Sequence, residues 1–125
     1  MTRDELIVHA MGCPGAVEDY PFGDELLTVK VGGKVFAWIP LTEVGWFGHG
    51  IRVALKARPE VVADLRHVYP SDVRGARPLD ERYWVAICLG GKIGDGEVRE
   101  LLDSSYTAVV SRLPRRLRPP SQDWR

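Results

Sequence analysis

The sequence predicts a single α/β domain of the α+β kind, in which helices cover one face of an antiparallel sheet. The chain has 125 residues, enough for one domain with a full core but not for two. Its β-rich segments follow one another, and a two-glycine turn joins the first pair. Helical segments precede, interrupt and follow the strands in the order α-β-β-β-α-(β)-β-α, so we expect the N-terminal, middle and C-terminal helices on one face.

The N-terminal part predicts a helix followed by three strands. Thr2 and Glu5 have the capping-box spacing that starts a helix, and Gly12 ends it. The β-rich runs on either side of the two glycines at 32–33 predict a hairpin, because a two-residue primed turn needs positive φ. Residues 50–57 predict a third strand, which is reached through a longer connection.

The C-terminal part predicts two more helices and a further strand. Pro59 suits the first turn of the second helix, and Pro70 ends it. Residues 82–91 predict a strand, and the turn-rich stretch before them has room for a short edge strand. Asp95 is expected to cap a long last helix, which Pro114 breaks.

Charge and cysteine content argue against a strongly basic protein and against a disulfide-bonded one. The 17 basic and 17 acidic residues balance, so no overall field attracts nucleic acid or an anionic membrane. Residues 111–125 nevertheless carry five arginines and one carboxylate, and we divide the chain into a domain of residues 1–113 and a basic tail of residues 114–125. Cys13 and Cys88 are far apart and predict reduced thiols. With neither an export leader nor a membrane-spanning run, we expect a cytoplasmic protein.

The acidic stretch EDYPFGDE, residues 18–25, is the first candidate for chemistry. Its four carboxylates could ligate a metal ion, supply an acid–base pair or border a turn. Adjacent residues of an extended segment point to opposite faces, so neighbouring carboxylates do not converge on one ion. Pro21 and Gly23 favour a turn, and Tyr20 and Phe22 are expected to pack under the sheet edge. A structural connector is the interpretation that fits best, ahead of a partner contact and of a metal site.

Other catalytic signals are weak. Cys13 and His9, one helical turn apart, form a conceivable nucleophile and base, although a half-buried cysteine at a helix end is the ordinary interpretation. The glycine-rich residues 89–97 match neither the Walker nor the dinucleotide pattern. The three histidines are scattered and do not predict a zinc site. We expect a non-enzymatic protein without a catalytic residue, a metal ion or a cofactor.

Several short motifs resemble the MmcQ/YjbR-type proteins in order and spacing over nearly the whole chain. The most specific are Pro14-Gly15, the Glu18-Asp19-x-Pro-Phe-Gly run, Lys34-x-Phe36-Ala37, Leu55-Lys56 and Ser105-Tyr106. The resemblance implies a frataxin/CyaY-like α/β sandwich. It also implies a DNA-binding role, which has been proposed for a "double wing" of β-hairpins in this family.

The segment Leu79–Trp84, with the sequence LDERYW, departs from that family pattern. Family members usually carry a lysine where this chain has Glu81 and a histidine where it has Tyr83, while Trp84 agrees. The resemblance therefore implies that a site built on these residues is lost or altered. A glutamate in place of a lysine would also oppose phosphate binding at that point.

Two hairpin tips and the tail support a nucleic-acid hypothesis. The tip at residues 31–34 and the connection at residues 42–52 could act as wings, and the arginines of the tail could follow phosphates. The expected partner is double-stranded DNA. Charge and expected exposure predict contacts at Lys30, Lys34, Arg52, Lys56, Arg82, Arg115, Arg116 and Arg118.

A binding module for a protein or a small molecule is the alternative. In that case the sheet face without helices carries an aromatic patch of Trp38, Trp46, Phe47 and Trp84. Trp46 and Phe47 belong to both hypotheses, because they either stay exposed at a wing or fold back over the sheet. Basic groups around the hairpin tips favour nucleic acid, whereas an uncharged aromatic cleft favours a ligand or protein partner.

Overall fold

Six antiparallel strands form one sheet in the computed structural model, which describes residues 1–42, 46–47 and 50–120. Within these residues the strands are β1 (Val17–Asp19), β2 (Leu26–Val31), β3 (Lys34–Pro40), β4 (Arg52–Lys56), β5 (Val73–Gly75) and β6 (Trp84–Cys88). The helices are α1 (Arg3–Met11), α2 (Pro59–Val68) and α3 (Asp95–Ser111), and a 3-10 helix spans Arg115–Leu117. The strand order is β1-β2-β3-β4-β6-β5. The predicted α+β class is confirmed.

The helix ends follow local signals, with one exception. Thr2 and Glu5 form the capping box of α1, and Pro59 lies in the first turn of α2. The prediction that Asp95 caps α3 is wrong, because Gly94 is the N-cap. The Asp95 carboxylate instead accepts a hydrogen bond from the N-terminal ammonium of Met1. Within the described part of the chain, no helix has the length and apolar character needed to cross a membrane.

The hairpin between β2 and β3 has the predicted two-glycine turn. Gly32 and Gly33 have φ values of 58° and 81°, and the turn pairs Val31 with Lys34. The register then shifts, because Lys30 pairs with Val35 while Val29 pairs with Ala37. Residue 36 is therefore the extra residue of a β-bulge.

The two faces of the sheet have different coverings. The larger core lies between the sheet and the helices, and its largest buried side chains include Phe36, Ile39, Leu55 and Leu102. The opposite face carries a smaller cluster built on Leu26, Phe47, Ala54, Ala76 and Ala86, with Trp38, Trp46, Leu79 and Trp84 packed against it. Strand residues alternate between these faces, as the period of two requires.

The two edges of the sheet are short strands. The expected edge strand before β6 is present as β5, whereas β1, which pairs Val17–Asp19 with β2, was not predicted. The expectation that Tyr20 and Phe22 pack under the sheet edge is also wrong. Tyr20 is 39% exposed and Phe22 is 61% exposed. Phe22 stacks instead on Trp38, with ring centroids 5.9 Å apart.

The hydroxyl of Ser105 joins α3 to two strands. It donates a hydrogen bond to the carbonyl of Phe36 at 2.6 Å and accepts one from the backbone N–H of Lys56 at 2.9 Å. Ser105 is fully buried. The next residue, Tyr106, packs edge-on against Phe36 and donates its hydroxyl proton to the carbonyl of Pro14. The Ser105–Tyr106 pair thus fixes the helix on the sheet at the bulge.

Replacing Ser105 by alanine is expected to lower the free energy of unfolding by about 1–3 kcal/mol, because both backbone partners lose their bond away from water. Ser104 provides the matched control, since it is adjacent and exposed. Ser104→Ala should stay within about 0.5 kcal/mol of the parent. Urea unfolding of the three proteins measures the difference. Equal stability of the two variants would contradict the structural role of the Ser105 hydroxyl.

Candidate functional site

A cleft of about 680 Å³ opens where the β2–β3 hairpin tip meets the end of α3. We call it the basic cleft and define it by Lys30, Lys34, Lys56, Arg112, Trp38 and Trp84, all of which line it. The glycines of the hairpin turn, Leu113, Pro114 and Leu117 complete one side. Three separate parts of the chain therefore converge on it: the hairpin, the neighbouring strands β4 and β6, and the C-terminal end of α3.

The sheet register places the two indoles and Lys56 side by side. Lys56 of β4 pairs with Trp84 of β6, and its Nζ lies 5.9 Å from the centroid of the indole ring. This distance is within the range of a cation–π interaction. Trp38 and Trp84 meet edge to face with centroids 6.3 Å apart. Ala54 lies between the two indole-bearing strands, and its small side chain leaves room for both rings.

The end of α3 closes the cleft against the hairpin. A Cβ atom added to Gly32 would lie 2.5 Å from Leu113 Cδ1, so the turn and the helix end are in direct contact. Arg112 is the C-cap residue of α3. Beyond it, the Arg118 guanidinium donates to the carbonyls of Ser111 and Leu113, both at 3.0 Å. Part of the basic tail therefore packs on the domain.

The basic cleft concentrates positive charge. Its described lining contains four cationic side chains and no carboxylate. Burial, followed by the nearby charges of Arg112 and Lys34, lowers the pKa of Lys56. Lys30 is partly neutralised, because its Nζ lies 2.6 Å from Asp19 Oδ2 and this bond lowers the pKa of Asp19. An anion in the cleft would relieve the repulsion between the remaining cations.

The structure brings together three of the predicted basic residues. Lys30, Lys34 and Lys56 line one cleft with Trp38 and Trp84, although the sequence assigned them to two different hypotheses. Arg115 and Arg116 lie exposed in the 3-10 helix that follows the cleft residue Pro114. Arg115 and Arg116 thus lie in the chain between two cleft residues, Pro114 and Leu117.

Three other predicted arginines have structural partners. The expected exposure of Arg52 is wrong: it is 4% exposed and donates to the carbonyls of Ser71 and Asp72. Arg82 is bound by the Asp80 carboxylate and lies over the ring of Tyr83. Arg118 donates to the end of α3, as described above. We leave these arginines out of the candidate site.

Of the two aromatic residues of the second expected wing, Phe47 is buried and Trp46 is partly buried. Phe47 is 7% exposed and has φ of 63°, a left-handed conformation that is uncommon for a bulky residue. It packs in the smaller cluster, and Trp46 lies beside it with centroids 6.2 Å apart. Of the two predicted alternatives, exposure at a wing or packing over the sheet, Phe47 therefore follows the second. Residues 43–45 and 48–49 of this connection lie outside the described residues.

Arg112 was missed as a site residue. Its charge was counted with the tail, but no contact was assigned to it. Its place in the cleft depends on the length of α3 and on the docking of Leu113 against the hairpin turn. The available signal was its position just before Leu113 and Pro114, because a helix-ending proline fixes which residues occupy the last turn.

The altered segment at residues 79–84 contributes one residue to the cleft. Trp84 lines it. Glu81 instead makes an ion pair with Arg77 at 2.5 Å and lies 4.0 Å from Arg66. Glu81 is not among the described residues that line the cleft, so its negative charge lies outside it.

The acidic stretch does not gather its carboxylates around one point. Within the described residues, no group of three or more His, Cys, Asp or Glu side chains could hold a metal ion. Asp19 instead accepts from the Lys30 ammonium and from the backbone of Tyr20. Gly23 has φ of 99°, which agrees with the predicted turn. The stretch provides an edge strand, a turn and a partner for Lys30.

The proposed Cys13–His9 pair does not form. Burial and the nearby Asp103 raise the pKa of the Cys13 thiol to about 11, and its Sγ faces the backbone carbonyl of His9. The His9 ring is bound elsewhere, with Nε2 lying 2.8 Å from Asp103 Oδ1. This geometry gives Cys13 the properties of a packed thiol rather than of a nucleophile.

Comparison with known proteins places the chain in a family. The YjbR family model matches residues 11–108. The chain belongs to the YjbR family. It is 32% identical over 114 residues to the uncharacterized protein YjbR of Escherichia coli K12, covering 91% of this chain and 92% of that protein. It is 27% identical over 97 residues to the uncharacterized protein YbdF of E. coli O157:H7, covering 78% and 75% respectively.

Solved structures agree with this assignment. The crystal structure of Deinococcus radiodurans DR2400, a DUF419 domain, matches with a TM-score of 0.84 and 27% identity, covering 98% of this chain and 92% of that one. A Pseudomonas syringae protein matches in fold with a TM-score of 0.67 and 23% identity, covering 84% and 96%. None of these names states an activity.

Cys13 is expected to alkylate slowly in the folded protein. A pKa raised from 9.0 to about 11 leaves about 100-fold less thiolate at mildly alkaline pH. Iodoacetamide labelling, followed residue by residue with peptide mass spectrometry, compares the native protein with the urea-unfolded chain. Equal rates for Cys13 in the two states would show a reactive thiol and reopen the catalytic interpretation.

Proposed function

We propose that this protein binds DNA through the backbone phosphates, with the basic cleft at the centre of the contact. The observation that carries the proposal is the convergence of Lys30, Lys34, Lys56 and Arg112 around two indoles, with no carboxylate in the described lining. Lysine and arginine contacts to phosphates supply most of the non-specific affinity for nucleic acid. The exposed Arg115 and Arg116 lie between the cleft residues Pro114 and Leu117 and add two further cations next to them in the chain.

The hairpin tip gives this surface its shape. Gly33 has open space around the position of a Cβ atom, and the exposed Lys34 follows it as the first residue of β3. Both residues line the cleft, so the tip can contact a phosphate chain that enters it. This arrangement keeps one of the two predicted wings and replaces the second with the end of α3 and the 3-10 helix.

Local charge matters more than total charge in this protein. The chain is neutral overall, so long-range attraction to DNA is weak. Binding then depends on short-range contacts within about a Debye length, roughly 10 Å at moderate salt. The clustering of Lys34, Lys56 and Arg112, beside a Lys30 that Asp19 partly neutralises, meets that requirement, whereas the same charges scattered over the surface would not.

A small aromatic anion is the second candidate ligand. The cleft volume of about 680 Å³ lies within the range of small-molecule sites, and the two indoles offer apolar surface beside the cations. Such a ligand would saturate the cleft without involving Arg115 and Arg116. Dependence of binding on those two arginines therefore separates DNA from a small ligand.

Charge removal tests the proposal directly. The double variant Lys34→Gln/Arg112→Gln should weaken binding of a labelled oligonucleotide, and lower the slope of log affinity against log salt by about 1.4–1.8, as expected for two lost phosphate contacts. Fluorescence anisotropy over a salt series, with a duplex and with its single strand, measures both quantities.

Lys92→Gln is the matched control. Lys92 is exposed and lies before the N-terminus of α3, whose 17 residues separate it from Arg112 by about 25 Å. This variant should bind like the parent. Absence of salt-dependent binding to both probes, even at low salt, would overturn the proposed function. Unchanged binding by the double variant would remove the cleft from it.

A further inference from the structure

We infer that the basic cleft receives an unpaired nucleotide, so that the protein binds single-stranded DNA more tightly than duplex DNA of the same length. This inference rests on the proposed phosphate binding and specifies which form of DNA the protein binds. It is carried by three features of the described surface: a row of aromatic rings, a second groove that continues the cleft, and the buried position of Phe47.

The aromatic row consists of Phe22, Trp38 and Trp84. Phe22 stacks on Trp38 with an interplanar angle of 28°, and Trp38 meets Trp84 edge to face. Phe22 is 61% exposed although it is large and apolar, so most of its ring surface is open to a further stacking partner. Nucleobases stack on such rings with little dependence on sequence.

The cation positions match a phosphate chain that passes this row. Lys56 lies over Trp84, while Lys30 and Lys34, which flank the hairpin turn, line the same cleft. A nucleotide placed with its base on the aromatic row therefore has several cations of the cleft available for its phosphates. The combination of a stacking surface with a positively charged groove is typical of proteins that bind single strands.

A second groove of about 620 Å³ continues the cleft. It lies along α3 and shares Lys56 and Arg112 with the cleft. Hydroxyl groups and one more cation line it, and these are Ser104, Thr107, Ser111 and Arg58. Its one carboxylate, Asp103, lies 2.8 Å from the imidazole of His9. The two depressions adjoin at Lys56 and Arg112, with rings in the first and hydrogen-bonding groups in the second.

Duplex DNA cannot use the aromatic row in this way. Its base faces are covered by their stacked neighbours, and an aromatic residue reaches them only as a wedge inserted between base pairs. Of the two aromatic residues expected at the second wing, Phe47 is 7% exposed and belongs to the smaller cluster, and Trp46 is partly buried against that cluster. Trp38 and Trp84 lie within a concave cleft rather than on a projecting loop. The described rings thus favour a base that is already unpaired.

The first experiment changes the nucleic acid and keeps the protein intact. Anisotropy competition compares a labelled thymidine strand, a duplex of equal length and an abasic deoxyribose-phosphate strand of equal charge. We expect the thymidine strand to bind about tenfold more tightly than the abasic strand, because each stacked base contributes a factor of this order. We expect the duplex to bind more weakly than the thymidine strand.

The second experiment changes the aromatic row. Phe22→Ala should weaken binding of the thymidine strand about tenfold and leave binding of the abasic strand unchanged. Val17→Ala is the matched control, because Val17 is also apolar and is 60% exposed on β1. Trp84→Leu should weaken strand binding in the same way, and Trp84→Phe should retain most of it.

The outcomes separate the inference from the proposed function. Equal or tighter binding of the duplex, or equal binding of the thymidine and abasic strands, would overturn the inference while phosphate binding stands. Loss of salt-dependent binding to all three probes would overturn both. The abasic comparison uses the unmodified protein, so a folding defect in a tryptophan variant leaves the test decisive.

Discussion

The Ser105 hydroxyl holds the sheet at the point where its regular pairing ends. β3 and β4 pair only at Ala37–Leu55 and Trp38–Ala54, and nearer the hairpin tip the two strands separate. The carbonyl of Phe36 and the N–H of Lys56 would face each other there without a ladder partner, and the buried hydroxyl satisfies both. The helix therefore replaces part of a strand ladder, and Lys56, whose N–H is bound in this way, lines the cleft.

The bulge at Phe36 decides which side chains reach that cleft. Because one extra residue lies between Val35 and Ala37, Val35 shares a face with Lys30 while Trp38 shares the same face with Thr28. Phe36 turns to the helix side, where Tyr106 packs on it. A regular strand would place alternate residues on opposite faces and could not supply both a core phenylalanine and this row of cleft residues. The packing of Phe36 against α3 and the position of Trp38 in the cleft thus both follow from the β-bulge.

Local sequence patterns predicted the elements of the fold but not the contacts between distant segments. The Gly32-Gly33 turn and the α1 capping box depend on neighbours within four residues, and both are present. Arg52 was expected outside because nothing near it in sequence indicates the carbonyls, about twenty residues away, that bury it. Arg112 was missed for the same reason, since its role depends on where α3 docks. Site prediction failed where it required tertiary geometry.

The neutral net charge makes the aromatic row more important than it would be in a basic protein. Carboxylates balance the cations over the chain, and Asp4 and Glu5 lie at the start of α1, away from the hairpin tip. Phosphate contacts confined to one cluster are few, so they supply only a small part of the affinity that a larger basic surface would give. Stacking of bases on aromatic rings is far less sensitive to salt, and each base adds its own contribution. The proposed strand binding therefore relies on rings beside the cations, and both line the cleft.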